Sequence, residues 1–304
     1  MDIINNLYDN YQIKVDKNAK ISNKTYKIVC DNNNCYFIKK VKKELENKYT
    51  FLSNHGINNI IYPYLNKEKK FISNLSNNNY YITDFITNNP IGEDQIGSRL
   101  FNALELLHNN TSIPRQLSVS DTKPKFEEIT KQLDYKFKLI ENYIRSLETS
   151  PINQYSYLVL ENYHIIIKAK EELIKLQKKI ISAIKNKESI EYVFLHNNPK
   201  NDHLLINKGS SFLTSIDMGK IGIDSMDMAK FYIENKHLKL DLKKMIFNDN
   251  YSQKQDFYYD YFCFLVLFIY IKRINFTSLS MFNMEKFVHN CQDIDDFVKN
   301  FLNK

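Results

Sequence analysis

LHNNPKNDHLLIN (195–207) and FLTSIDMGKIG (212–222) are the stretches on which the reading of this chain turns. An apolar run ends at Leu195, and a polar turn with Pro199 follows. LLIN is a second short apolar run. Lys208 and Gly209 make another turn, and FLTSI is a third apolar run. Short apolar runs bounded by Asn, Pro, Gly and Ser read as strands joined by tight turns. The third run delivers one acid, Asp217, to its end, just before Gly219. The first turn gathers His196, Asn198, Asp202 and His203 within eight positions, so chemistry carried by this region would come from its loops.

The flanks differ in character. Upstream, YQIKV (11–15), TYKIVC (25–30) and CYFIKKV (35–41) read as strands, and DNNN (31–34) as a hairpin turn. KKELENKYTFLSNHG (42–56) reads as a helix with Leu45, Tyr49 and Leu52 on one face and Gly56 closing it. KKFISNL (69–75) and NYYITDFI (79–86) read as two more strands. From residue 88 the pattern turns helical. Ile96, Leu100, Ala103, Leu104 and Leu107 form one stripe, and long amphipathic segments cover 123–147 and 154–187. After residue 225 the chain is helical to its end, in about four segments. The expectation is an α+β, two-lobed chain. Residues 1–87 form a small antiparallel β-lobe with one helix. Residues 88–304 form a larger, mostly helical lobe that contains 195–222, with TDFITNNPIG (83–92) as the linker.

Composition narrows the function classes. A hydrophobic fraction of 43% and a charged fraction of 25% suit a soluble globular protein. The net charge of +7 reads either as attraction to phosphates or as lysines spread over solvated helix faces. KLQKKIISAIKNK (175–187) is an amphipathic surface rather than a basic, aromatic-interleaved patch, so nucleic acid is not an expected partner. The most apolar run, 262–271, is about half a bilayer span and no membrane partner is expected. MDIINNLYDN lacks the basic and apolar regions of a secretory signal, which makes the cytoplasm the expected location. Cys30, Cys35, Cys263 and Cys291 form no CxxC pair. Cys30 and Cys35 could face each other across a hairpin, and reduced thiols are expected there. The absence of GxSxG argues against a hydrolase elbow.

The pattern of His196, Asn198, His203, Asp217 and Asp227 resembles that of the aminoglycoside and choline kinase superfamily, which has a protein-kinase-like fold. That family carries HxDxxxxN, a strand ending in Asp, and a further Asp opening a helix. His196 matches the first position, which is structural in the family. Asn198 stands at the catalytic Asp position and His203 at the metal-binding Asn position. Asp217 matches the metal-binding Asp, and Asp227 in MDMAKFY matches the Asp that opens a helix. The ten positions from Asp217 to Asp227, with LDYKFKLIENYIRS (133–146) and CYFIKKVK (35–42), are similar to the spore-coat kinase-like branch of Firmicutes.

The resemblance implies ATP and magnesium as cofactors. It implies a phosphate-contacting lysine, Lys39 (or Lys40 in the neighbouring register), beside Phe37 on its strand face. A helix carboxylate, Glu44 or Glu46, would hold that lysine, with Asn47 the other residue that alignment offers. An amide at 198 orients a hydroxyl but takes no proton, and an imidazole at 203 is a poor magnesium donor. Asp202 is the acid nearest both. Two readings follow. One is a pseudokinase or strongly impaired phosphotransferase acting as a binding component, with nucleotide and spore-coat proteins as partners and, in an organism that sporulates, the spore coat as the alternative to a cytoplasmic location. The other is an active ATP-dependent phosphotransferase that acts on an alcohol group through an atypical loop.

Overall fold

A computed structural model describes residues 2–30, 34–75, 78–117, 119–151, 153–186, 188–251, 254–276 and 281–302. The chain forms two compact units. The first comprises residues 1–112, 193–222 and 237–240, and the second 113–192, 223–236 and 241–304.

In the first unit, β1 (Val15–Lys20), β2 (Thr25–Cys30), β3 (Cys35–Val41), β4 (Ser73–Leu75) and β5 (Asn78–Asp84) form one antiparallel sheet in the order β1-β2-β3-β5-β4. The expected hairpin turn DNNN falls largely at 31–33, outside the described residues. Around it Val29 pairs with Cys35, and the Cys30 N–H donates to the Asn34 carbonyl. All four cysteines are thiols.

Two corrections concern the N-terminal stretch. A helix, α1 (Asp2–Tyr11), precedes the sheet, and the first strand begins at Val15 rather than spanning 11–15. Leu7 is fully buried with Ile28, Cys30, Ile38, Tyr80 and Ile82, and Tyr11 donates or accepts a 2.7 Å hydroxyl bond with Ser73. The covered sheet face, rather than the polar sequence of the segment, supplies the reason for a helix there. Leu7→Ala is expected to cost about 2–5 kcal/mol. The check is faster native-state hydrogen exchange of the β2 and β3 amides, and unchanged exchange would remove α1 from the core.

Helix α2 (Leu45–Asn54) buries Leu45, Tyr49 and Leu52 as its spacing predicts. Gly56, at φ +65, follows its end; the Gly56 N–H reaches Ser53 O and the Ile57 N–H reaches Leu52 O. That pair of bonds satisfies two carbonyls of the last turn, and the left-handed residue between them favours glycine. Helix α3 (Glu93–Asn110) turns Leu100, Leu104 and Leu107 inward. A hairpin, β8 (Leu204–Asn207) and β9 (Ser210–Leu213), turns through Lys208 and Gly209, both at positive φ. Asn88 accepts the Ile206 N–H through Oδ1, and the Asn89 N–H donates to Ile206 O, so the expected linker is pinned to β8.

Strand β7 (Ser189–Leu195) pairs through residues 193–195 with β10 (Lys220–Gly222) in this unit. Its residues 189–192 pair in the second unit with β6 (Ile113–Gln116), a strand the sequence did not suggest. The second unit is otherwise helical: α4 (Val119–Glu148), α5 (Gln154–Lys185), α6 (Ser225–Asn235), α7 (Asp256–Arg273) and α8 (Met281–Phe297), with π-helical turns at Lys244–Tyr251 and Val298–Leu302. Helix α5 packs along α7 and α8, and the apolar run 262–271 lies buried within α7. Among the described residues no helix is long and apolar enough to cross a membrane. The α+β class holds, with an antiparallel β part and a mostly helical remainder.

Candidate functional site

The two faces of the five-stranded sheet are set by the period of the strand. Ile38 and Ile82 point into the α1 core. Their neighbours Phe37, Lys39, Tyr81 and Thr83 therefore face the other way, toward α2. Lys39 sits between Thr25 on β2 and Tyr81 on β5, whereas Lys40 is exposed. On this second face a cavity of about 350 Å³ opens. Apolar lining comes from Phe37, Ile61, Phe85, Ile86 and Leu205, and polar lining from Lys39, Asp84, Asp202, Thr214 and Ser215. Tyr49 of α2 and Tyr81 close one side, their rings 6.0 Å apart. Burial, with the charge of Asp217 nearby, pushes the hydroxyl pKa of each well up, so both stay neutral donors. The volume and the apolar walls with a few polar groups are those of a small-molecule site.

Asp217 lies beyond the end of β9, in a one-turn 3-10 segment, Ile216–Met218, rather than on the strand itself. Ser215 before it adopts a left-handed φ of +58, which turns the chain sharply at the cavity wall. The Asp217 carboxylate forms an ion pair with Lys39 through Oδ2. A second ammonium reaches the same residue: Lys48 Nζ donates to the Asp217 backbone carbonyl at 2.5 Å. Burial lowers the Lys48 pKa, and the charges of Asp217 and Glu44 oppose that shift. Asp217 Oδ1 is buried with no hydrogen-bond partner.

Gly219 follows because a Cβ there would stand 2.5 Å from Cε1 and Cζ of Phe194. Phe194 is itself stacked on Phe51, 5.8 Å between centroids. Gly219→Ala is expected to destabilise the protein by about 1–3 kcal/mol through overpacking. A lowered urea midpoint is the check; an unchanged one means the Phe194 ring yields.

The loop carrying the other candidates is tied to this turn. His196 is fully buried, and its Nε2 donates to Thr214 O at 2.7 Å, which leaves Nδ1 to accept the Asn198 N–H at 3.4 Å. His203 donates from Nδ1 to Asn198 O at 2.8 Å. The His203 carbonyl accepts both the Thr214 N–H and its hydroxyl. Asn198 is half-buried beside them, and the exposed Asp202 carboxylate lies on the cavity wall.

The two α2 carboxylates are placed elsewhere. Glu46 accepts the N–H groups of Phe71 and Ile72, which a short loop would otherwise leave unsatisfied. Glu44 is exposed at the start of α2, and Asn47 is exposed too. The acid that meets Lys39 is Asp217, and the α2 residue that reaches Asp217 is Lys48. The signal for Lys48 was in the sequence: with Leu45, Tyr49 and Leu52 it completes an i, i+3, i+4, i+7 face. Asp227 is buried in the first turn of α6 in the second unit. In the same unit the buried Asp224 is paired with Lys254.

A magnesium ion needs a near-octahedral set of oxygen donors. Here one oxygen of Asp217 is held by Lys39, position 203 offers nitrogen rather than oxygen and spends Nδ1 on the Asn198 carbonyl, and the remaining oxygens are Asp217 Oδ1 and the Asn198 amide. Among the described residues no three His, Cys, Asp or Glu side chains gather that could hold a metal ion. The donor set does not fit magnesium.

No family model matches the sequence, and no curated protein matches it. Solved structures do. An aminoglycoside phosphotransferase from Alicyclobacillus acidocaldarius aligns over 95% of this chain and 90% of its own, with a TM-score of 0.71 at 11% identity. A spectinomycin phosphotransferase solved with ADP and spectinomycin aligns over 96% and 97%, with a TM-score of 0.52 at 16% identity. A choline kinase from Streptococcus pneumoniae aligns over 97% and 98%, with a TM-score of 0.50 at 12% identity. The chain therefore has the bilobal, kinase-like α+β fold of these phosphotransferases. At such identities the likeness is one of fold.

Proposed function

We propose that this chain is a kinase-fold protein that binds a nucleotide in the cavity of its first unit and has lost most or all phosphoryl transfer. The observation that carries the reading is the cavity itself. Apolar walls suited to a flat base end at Lys39, which a nucleotide's phosphates would meet and which is ion-paired with Asp217 behind it. Residues 1–87 then supply the nucleotide lobe, and 88–304 the lobe that would face an acceptor.

Phosphoryl transfer in this fold rests on held phosphates, a held metal and an oriented hydroxyl. Lys39 answers the first need. The second is unmet, because the oxygen donors are too few. For the third, Asn198 can orient a hydroxyl but cannot take its proton, a loss of about 10²–10⁴-fold in rate. The protein then acts through what it binds. The spore-coat resemblance extends the proposal to coat proteins as partners, in which case the chain fractionates with coat extracts.

A thermal shift with adenosine and ATP tests the nucleotide. Ligand at 100 times its dissociation constant adds about 2.7 kcal/mol of stability. No shift with either would sink the reading. A radiolabel assay tests the loss of transfer, and robust ATP-dependent labelling of any alcohol acceptor would contradict it.

One observation favours a second reading, an active phosphotransferase. The Asp202 carboxylate lies on the cavity wall and could take the proton that Asn198 cannot. Transfer that disappears in Asp202→Asn would establish it.

A further inference from the structure

In the fold this chain shares, a helix carboxylate is expected to hold the strand lysine, leaving the strand-end acid for a metal. Here the polarity is reversed. Helix α2 presents Lys48 on its inward face, between Leu45 and Leu52 and beside Tyr49. Asp217 meets both ammonium groups, Lys39 through its carboxylate and Lys48 through its carbonyl.

We propose that the cavity takes the polyphosphate of a nucleoside di- or triphosphate without any divalent cation, Lys48 acting with Lys39 as the positive charge a metal would otherwise supply. The inference rests on the nucleotide reading above and adds to it how the phosphates are neutralised.

Three features support it. Two ammonium groups meet around the one Asp217 carboxylate, so this cluster, which joins the cavity through Lys39, is net positive, set against the Asp84 and Asp202 carboxylates of the lining. Lysine binds phosphate as a point charge and needs no fixed geometry, so both side chains can turn from Asp217 to an incoming phosphate. Asp217 Oδ1 is buried and unpartnered, so it can take over one ammonium as the other moves. The desolvation that lowers the Lys48 pKa also strengthens each charge contact made there. A lysine on the buried face of a helix is otherwise a cost, since that side chain ordinarily keeps its charge in water.

The competing account makes Lys48 a strut that only fixes the Ile216–Met218 turn. Isothermal titration separates the two, using adenosine, ADP and ATP as probes in EDTA and in excess magnesium. In EDTA, ATP should bind about tenfold or more tightly than adenosine, and magnesium should change that affinity less than about threefold. Lys48→Met should weaken ATP by about ten- to a hundredfold, the worth of a charge-assisted hydrogen bond, and leave adenosine unchanged. Lys48→Arg, which keeps the charge, should retain ATP binding in EDTA.

ATP affinity that rises about tenfold or more with magnesium overturns this inference alone. Equal losses for adenosine and ATP in Lys48→Met identify a strut and overturn it as well. Should Lys48→Met not fold, the parent in EDTA and magnesium decides. Absence of binding by both adenosine and ATP overturns the nucleotide reading itself, and this inference with it.

Discussion

Asn198→Asp, His203→Asn and Lys48→Glu combined in one chain are expected to gain magnesium-dependent ATP hydrolysis of about 10²–10⁴-fold over the parent, the worth of a general base working on a held metal. Each single change is expected to stay within about tenfold, because residues that act as a unit are not additive. The three supply different needs: a proton acceptor at 198, an oxygen donor at 203, and at 48 a carboxylate that draws Lys39 off Asp217. The loop should tolerate the changes. His203→Asn gives up the Nδ1 bond to Asn198 O, but the residue stays held through its own N–H to Lys200 O and through its carbonyl to Thr214. Asn198 accepts the Lys200 N–H at 3.0 Å, again through its backbone. The measurement is ADP release at saturating ATP, with magnesium and with EDTA, on variants whose melting curves remain cooperative. If Asn198→Asp alone matches the triple variant, the metal set was intact and the conclusion that the donors do not fit magnesium is wrong.

What could be read from the sequence follows the range of the forces involved. Alternation in CYFIKKV placed Lys39 and Phe37 on one strand face because the strand period is local, and Leu45, Tyr49 and Leu52 marked the α2 face for the same reason. Helix α1 was not legible. Its described packing rests on Leu7 and Tyr11, too little periodicity to outweigh a run of Asn and Asp, and the sheet face that holds it lies far along the chain. Strand β6 was missed because IPRQ has no alternation and contains proline; its partners are Ser189–Tyr192. Glu44 and Glu46 both looked like partners of Lys39, and Glu46 lies in the first turn of the right helix. The N–H groups of Phe71 and Ile72 claim it instead, a need no local pattern announces. The Asp217 position was found from its loop, but its two ammonium partners come from β3 and α2 and required the fold. The kinase-like architecture was legible because strand, helix and loop order survives substitution. The departures at 198 and 203 were legible as letters, whereas the reversal of charge at Lys48 was not.

Asp217→Asn is expected to act in opposite directions on stability and on nucleotide affinity. Removing the carboxylate leaves two ammonium groups close together with only a neutral amide between them. Breaking a buried pair costs about 3–5 kcal/mol when both partners are out of water. Here the side chains retain 16% and 35% of their exposure, so a cost of about 1–3 kcal/mol is the expectation. The same substitution removes the anion that competes with phosphate for Lys39, and ATP affinity in EDTA is expected to rise about tenfold. Saturating ATP should then close much of the gap in melting temperature between variant and parent, since a ligand stabilises the state that binds it. A metal-dependent site predicts the reverse, because there the acid is the ligand's anchor through the ion and its loss removes affinity. Urea unfolding and titration calorimetry on the one variant measure both quantities. A fall in ATP affinity in EDTA that parallels the loss of stability would show that Asp217 holds the site together rather than competing with the phosphates, and the ammonium pair would then be a structural clamp.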